Sequence, residues 1–345
     1  MLRGIHQIDS IPLKGAIIKY RTFGQTGLSV SEVGLGAFPI SGVRQQADGT
    51  QSGWTGTDDQ QSISLIHHAQ ELGVNLIDSA EGYGDGHSEE LIGQALRGRR
   101  DKWIVATKVS PNRGLDGHDS DLPRQARKRI FEAVEGSMRR LQTDYIDVYQ
   151  LHAIPLEGAM LTFMEALTTL REAGKIRWYG ISTNNREAVD RLRGLGDIHM
   201  LQIGYNLLER HADKLLHFAA QENIGTLIRV PLAKGMLTGK YFKSTEIPPE
   251  DVRYERFTQA ESIDAFSKLP QLSFLAENTG RTMPQAALRF VLDHPGTSCV
   301  IAGAKTLQQI EGNAASIDVP PLTESELQTA FAIADTIRTP NWSAN

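Results

Sequence analysis

Along most of the chain, short runs of branched apolar residues alternate with stretches in which apolar residues recur every three or four positions. The first pattern predicts strands buried on both faces and the second amphipathic helices. Val33–Leu35 is the first predicted strand, after a polar entry over 20–30 that reads as a small hairpin. Asp58 or Asp59 then caps a helix with apolar positions Ile63, Ile66, Ala69 and Leu72, which Gly73 ends. A second strand follows at 75–78, and a helix opens at Ser88 with acids at its positive end. Further strands are predicted at 103–107, 145–151, 178–181, 200–203, 226–228 and 298–301, with helices over 124–141 and 156–172 between them. Eight strands, most followed by a helix, predict an α/β fold, a (β/α)8 TIM barrel. The periodicity taken alone is also compatible with an open doubly wound sheet.

Two stretches break the alternation: 41–56, polar and Gly-rich, and 242–262, charged and containing Pro248-Pro249. Long segments of this kind in a compact domain are usually functional, so both are expected to be active-site loops. No linker, repeat or low-complexity segment divides the chain, and 1–345 is expected to be one domain, with 1–19 as an N-terminal extension. The formal net charge of -5 offers no basic excess for neutralising phosphate backbones or anionic lipid, which excludes a general nucleic-acid or membrane-surface binder. The single cysteine, Cys299, excludes an intramolecular disulfide and a cysteine-rich metal site, and reads as a buried packing residue. With no secretory signal pattern and no run of ~20 apolar residues, the cytoplasm is the expected location.

In a parallel barrel the site lies at the C-terminal ends of the strands. The second, third and fourth predicted strands deliver Asp78 and, five positions on, Tyr83; then Lys108; then His152. A phenol is a weak acid at neutral pH unless a cation beside it stabilises the phenolate. Asp78 would hold that cation, Lys108, in place and charged, while His152 would orient a carbonyl oxygen or share its proton. An acid matched to a developing alkoxide is what carbonyl reduction needs. The hydride must come from a cofactor, because no side chain supplies one.

Six ordered runs carry a resemblance: 73–89 (GVNLIDSAEGYGDGHSE), 104–108 (IVATK), 141–152 (LQTDYIDVYQLH), 174–182 (GKIRWYGIS), 231–241 (PLAKGMLTGKY) and 301–306 (IAGAKT). From Tyr20 to Ile337 the sequence resembles the aldo-keto reductase superfamily, in its bacterial type. The resemblance implies Asp78, Tyr83, Lys108 and His152 as a catalytic tetrad, and Ser182 and Gln202 as the residues holding a nicotinamide carboxamide. It puts Arg229 where many members stack an aromatic on the nicotinamide, a task a guanidinium plane also performs. Pro231, Leu232 and Gly235 would follow the pyrophosphate, and Gly303, Lys305, Gln309 and Asn313 the adenosine end. Phe38 matches a position that walls the substrate pocket. The implied cofactor is NADPH, with NADH as the alternative, and the implied partner a small-molecule aldehyde or ketone. The pattern departs in three places. Thr183 stands where the family often has Asn, with Asn184 one later; Gly312 replaces an acid that contacts the adenine; and Gln309 replaces an Arg that faces the 2′-phosphate, leaving Lys305 to supply positive charge.

Each residue also has a plainer reading. Taken alone, Asp78 is a turn or capping residue, Lys108 a solvated lysine and His152 a satisfied core histidine; their convergence on one rim favours catalysis. His87, His67 and His68 read as surface residues, and no His/Asp/Glu spacing suggests a metal site. Gly82-x-Gly84-x-Gly86 fails the dinucleotide fingerprint, since the helix start after it is acidic and its third glycine position is not glycine. The runner-up function is a cofactor-binding regulatory subunit with little turnover, the role of some members of the resembled superfamily on potassium channels. A third reading is an aldolase using Lys108 as a Schiff-base nucleophile, which Asp78 opposes by keeping the amine protonated.

Overall fold

The computed structural model describes residues 18–45, 51–242, 246–249 and 251–337. The first 17 residues of the expected N-terminal extension lie outside the described residues, as do 46–50, 243–245 and 250 of the two long segments. The polar entry folds as the expected hairpin, β1 (Tyr20–Thr22) against β2 (Ser29–Ser31). The barrel then begins with β3 (Val33–Gly36). A second antiparallel pair follows, β4 (Val43–Gln45) and β5 (Gln51–Gly53), and lies within the segment read as loop. Apart from Val43 its residues are polar or glycine and lack apolar alternation, so the period-2 signal of a strand is absent there.

After α1 (Asp59–Glu71), whose cap is Asp58 accepting from the Gln61 N–H, the remaining barrel strands alternate with helices. They are β6 (Leu76–Asp78), β7 (Ile104–Val109), β8 (Ile146–Leu151), β9 (Ile176–Ser182), β10 (Met200–Gly204), β11 (Gly225–Arg229) and β12 (Cys299–Gly303). Between them run α2 (His87–Ala95), α3 (Leu122–Leu141), α4 (Met160–Glu172), α5 (Arg186–Arg193) and α6 (Asp213–Gln221). The second long segment is also partly helical, with α7 (Tyr254–Phe257) and the start of α8 (Ala260–Lys268). The helices α9 (Met283–Leu292), α10 (Leu307–Ala314) and α11 (Glu324–Ala334) complete the described chain.

Strands β3, β6, β7, β8, β9, β10, β11 and β12 pair in parallel in that order, and β12 returns to β3, closing the barrel. This settles the choice against an open doubly wound sheet. Inside it, Leu76, Val148, Met200 and Cys299 form a buried apolar layer, and the hairpin adds Phe23 and Val30 beneath. Alternate strands supply one layer in a barrel of this kind. Two residues further along those same strands, still pointing inward by the strand period, stand Asp78, Gln150, Gln202 and Ile301. On three of these four strands the core turns from apolar to polar in a single step toward the C-terminal rim.

Candidate active site

Asp78 is the last residue of β6, Lys108 lies near the end of β7, and His152 directly follows β8, with its N–H on the Val109 carbonyl. These strands are neighbours, so the three side chains reach one rim. Lys108 is fully buried and donates to Asp78 Oδ2 at 2.6 Å and to the Ser79 carbonyl at 2.5 Å. Its Nζ lies 3.4 Å from the Tyr83 hydroxyl. Burial pushes the ammonium down, but Asp78 and then Tyr83 outweigh it and hold it above the ordinary lysine value. Lys108 is therefore a fixed cation beside the phenol.

The His152 imidazole sits 5.8 Å from the Tyr83 ring, centre to centre. Burial first, then the Lys108 and Arg229 charges, pull its pKa down to about 3, so it is neutral at physiological pH. Above pH ~6.5 it is neutral folded or unfolded. Between there and about 3 the unfolded chain binds a proton that the folded chain refuses, so stability falls as pH falls through that window. The slope is about 1.4 kcal/mol per pH unit for one proton. Guanidinium unfolding at pH 7, 6, 5 and 4 is expected to show a shallower loss in His152→Asn, by one proton's worth; an unchanged slope contradicts this.

The Tyr83 loop is held from behind. Glu81 pairs with Arg129 and accepts from the Ser110 N–H at 2.8 Å, while its own N–H binds the Lys108 carbonyl. Gly84 and Gly86 adopt φ of 58° and 92°. A Cβ on Gly84 would lie 2.3 Å from the Ser41 carbonyl oxygen, and one on Gly86 2.6 Å from Arg140 Cδ. These glycines serve a tight turn in close contact rather than a phosphate. His87 is not a surface residue: it is buried, with Nδ1 on the Ser41 carbonyl and Nε2 3.2 Å from Asp59. His67 and His68 are half-buried. Phe38 packs on Tyr83 at 4.9 Å, and Trp54 meets Phe38 edge-on at 5.5 Å, so an aromatic wall leads from the first long segment to the phenol.

Across the rim, Ser182 and Gln202 are register partners on β9 and β10, with Ser182 Oγ 3.4 Å from Gln202 Oε1. Where the family often has Asn, Thr183 uses its hydroxyl to accept the Asn185 N–H. Asn184 is committed to both backbone groups of Gly204, at 2.7 and 2.9 Å. Arg229 ends β11, half-buried. The backbone beyond it, past Pro231 and Leu232, is unusual: Val230, Ala233, Lys234 and Gly235 all have positive φ. For a β-branched residue that is a costly conformation, of the sort concentrated at ligand sites.

Lys234 was not among the residues singled out by sequence, although it lies inside the Pro231–Tyr241 run. Burial, followed by Arg256, lowers its pKa to about 8. Among the described residues its ammonium makes no hydrogen bond or ion pair. At the far end, Gly303 closes β12, and the Asn313 amide lies 3.4 Å from its carbonyl. Gln309 Oε1 accepts the Lys305 N–H at 2.7 Å. Lys305 Nζ donates to the Thr55 carbonyl at 2.5 Å and sits over the Trp54 ring. From the second long segment, Arg253 covers the same ring at 4.8 Å and donates to the Lys234 carbonyl at 2.8 Å. The sequence-derived residues thus form two groups: Phe38, Asp78, Tyr83, Lys108, His152, Ser182, Gln202 and Arg229 at the barrel mouth, and Pro231, Leu232, Gly235, Gly303, Lys305, Gln309 and Asn313 along a cationic flank.

Away from this rim, Asp213, His217 and His294 bring ligating atoms within 4.8 Å of one another, a juxtaposition that sequence spacing did not suggest. The Gly296 N–H donates to His294 Nδ1 at 3.0 Å, so in the neutral ring Nε2 carries the proton and faces Asp213 at 3.2 Å. A metal on Nε2 would force that proton onto Nδ1, against the Gly296 N–H. The trio is a histidine–carboxylate cluster in the helix layer.

The model of the aldo/keto reductase family matches residues 47–335, and the chain belongs to that family. It is 36% identical over 305 residues to the aldo-keto reductase YhdN of Bacillus subtilis (strain 168), covering 85% of this chain and 87% of that one. The glycerol dehydrogenase AKR11B4 from Gluconobacter oxydans superposes with a TM-score of 0.76 at 31% identity, over 94% of this chain and 98% of the other. An aldo-keto reductase from Klebsiella pneumoniae solved in complex with NADPH gives a TM-score of 0.68 at 26% identity, over 95% and 98%. Among the described residues no helix is long and apolar enough to cross a membrane.

Proposed function

We propose that this chain is an NADPH-dependent carbonyl reductase, converting a small aldehyde or ketone to an alcohol, with Tyr83 as proton donor. The observation that carries the reading is Lys108, buried, bound to Asp78 at 2.6 Å and 3.4 Å from the Tyr83 hydroxyl. A bound nicotinamide supplies hydride to the carbonyl carbon. The Tyr83 hydroxyl gives its proton to the carbonyl oxygen as negative charge develops there, and Lys108 stabilises the phenolate left behind. Asp78 fixes Lys108, and the neutral His152 imidazole offers an N–H toward the same oxygen. The aromatic wall of Phe38 and Trp54 excludes water on one side, which supports 41–56 as a substrate-side segment.

The cationic flank fits a phosphate-bearing dinucleotide. Arg229, Lys234, Arg253 and Lys305 converge there, and Lys234 is a half-buried cation with no hydrogen bond or ion pair among the described residues. Leaving such a charge buried is costly unless an anion meets it. Pro231, Leu232 and Gly235 would line the pyrophosphate, with Gly303, Lys305, Gln309 and Asn313 at the adenosine end. The NADPH complex of the Klebsiella relative supports the phosphorylated cofactor. From the described part of the second long segment, Arg253 would face it.

An anion beside Lys234 raises its pKa from about 8, so at pH 8 cofactor binding is expected to take up a fraction of a proton. Calorimetric titration of NADPH in two buffers of different ionisation enthalpy reads that uptake directly. Lys234→Met should abolish it and weaken binding by about tenfold, the scale of one charged hydrogen bond. Equal proton uptake in the variant would remove Lys234 from the site.

The reductase reading itself is tested by loss of reduced-nicotinamide absorbance, with NADPH and separately NADH, against a panel of aldehydes and diketones. Turnover with at least one carbonyl, faster with NADPH, is expected. Tight NADPH binding without turnover of any carbonyl would favour a regulatory subunit instead.

A further inference from the structure

The polar layer at the barrel mouth contains one side chain that the reaction above does not use. Gln150, on β8, is fully buried. Its Nε2 donates to Asp78 Oδ1 at 2.9 Å, and its Oε1 accepts from Gln202 Nε2 at 3.0 Å. Gln202 Nε2 also donates to Asp78 Oδ1, at 2.9 Å. Three groups therefore hold the Asp78 carboxylate: Lys108 on one oxygen, and the two amides on the other.

This network decides which way each amide points. A carboxylate accepts only, so Gln150 must turn its NH2 toward Asp78 and its oxygen away. That oxygen, together with Asp78, then demands the NH2 of Gln202. Flipping either amide would set oxygen against oxygen in a site without water access, which costs far more than one lost bond. Gln202 is left with Oε1 as the atom it turns to Ser182 and the barrel mouth. Such an atom accepts from the NH2 of a carboxamide and cannot donate to its C=O.

We propose that Gln150 is a positioning residue that, together with the Asp78 carboxylate, holds the Gln202 amide with its oxygen outward, fixing Gln202 as an acceptor for the carboxamide of the nicotinamide. The assignment rests on the reductase reading. It ties the proton-delivery side of the site to the hydride side through side chains on alternate strands β6, β8 and β10. Leucine at 150 would keep the volume and remove both bonds, leaving the Asp78 carboxylate alone to orient the Gln202 amide.

The experiment compares two ligands on the wild type, Gln150→Leu and Gln150→Glu by isothermal titration. One ligand is NADP+ and the other adenosine 2′,5′-bisphosphate, which lacks the nicotinamide. In Gln150→Leu the Kd for NADP+ is expected to rise roughly tenfold, the scale of one lost buried hydrogen bond on the Gln202 amide. The Kd for the bisphosphate should stay within about twofold on the same scale, which also shows that the variant is folded. In Gln150→Glu a carboxylate opposes Asp78 when ionised, whereas the protonated acid can donate and accept as the amide does. The ratio of the two Kd values should therefore be poorest near pH 8.5 and recover toward pH 6, while the wild-type ratio stays flat. Equal shifts for both ligands, or for neither, overturn the role of Gln150 and leave the reductase reading standing. A wild type that binds no NADP+ overturns both.

Discussion

Replacing Tyr83 by phenylalanine is expected to lower kcat for carbonyl reduction by about 10²- to 10⁴-fold, the usual contribution of a positioned general acid. The change removes one oxygen atom, 3.4 Å from Lys108 Nζ, and leaves the ring in contact with Phe38 and His152. NADP+ affinity should stay within about twofold, because the phenol lies outside the cationic flank. A drop in kcat with unchanged Kd is the signature of a group acting in the transition state. Equal turnover by the two proteins would remove Tyr83 as the proton donor.

The second large effect concerns the buried ion pair. Lys108→Met leaves the Asp78 carboxylate at the centre of the barrel without its cation, although the Gln150 and Gln202 amides still face it. Removing one partner of a buried pair costs about 3–5 kcal/mol, because the remaining charge stays desolvated. Guanidinium unfolding should register that loss, and turnover should fall with it, since no cation then stabilises the phenolate. Asp78→Asn combined with Lys108→Met removes both charges, and most of the stability is expected to return while turnover does not. If the double variant is as unstable as Lys108→Met alone, the pair does not account for the stability.

Much of this site can be read from the chain because a barrel converts sequence order into position. Asp78, Lys108 and His152 each end a short apolar run, and a closed parallel barrel sends such ends to one rim. What the chain hides are contacts made by distant residues. Gln150 sits in an apolar strand, YIDVYQLH, where one polar residue looks like any inward or outward position until β6 and β10 are seen to share its layer. His87 follows a glycine turn and looks exposed, yet Ser41 and Asp59, 46 and 28 positions away, bury it. The β4–β5 pair escapes because its two three-residue strands, Val43–Gln45 and Gln51–Gly53, carry no apolar alternation in sequence. Lys234 escapes because the backbone around it, left-handed at Val230 and again from Ala233 to Gly235, is what draws the ammonium out of water.

Hydride transfer to a carbonyl carbon is the central claim, and one measurement addresses it directly. The protein is incubated with NADPH carrying deuterium on the transferring face of C4, prepared in both configurations, and with a carbonyl that it consumes. Mass spectrometry then locates the label in the alcohol. The account predicts one deuterium on the former carbonyl carbon from one of the two cofactors and none from the other, with the hydroxyl hydrogen drawn from solvent. An alcohol without deuterium from either cofactor, or no alcohol at all, would contradict it.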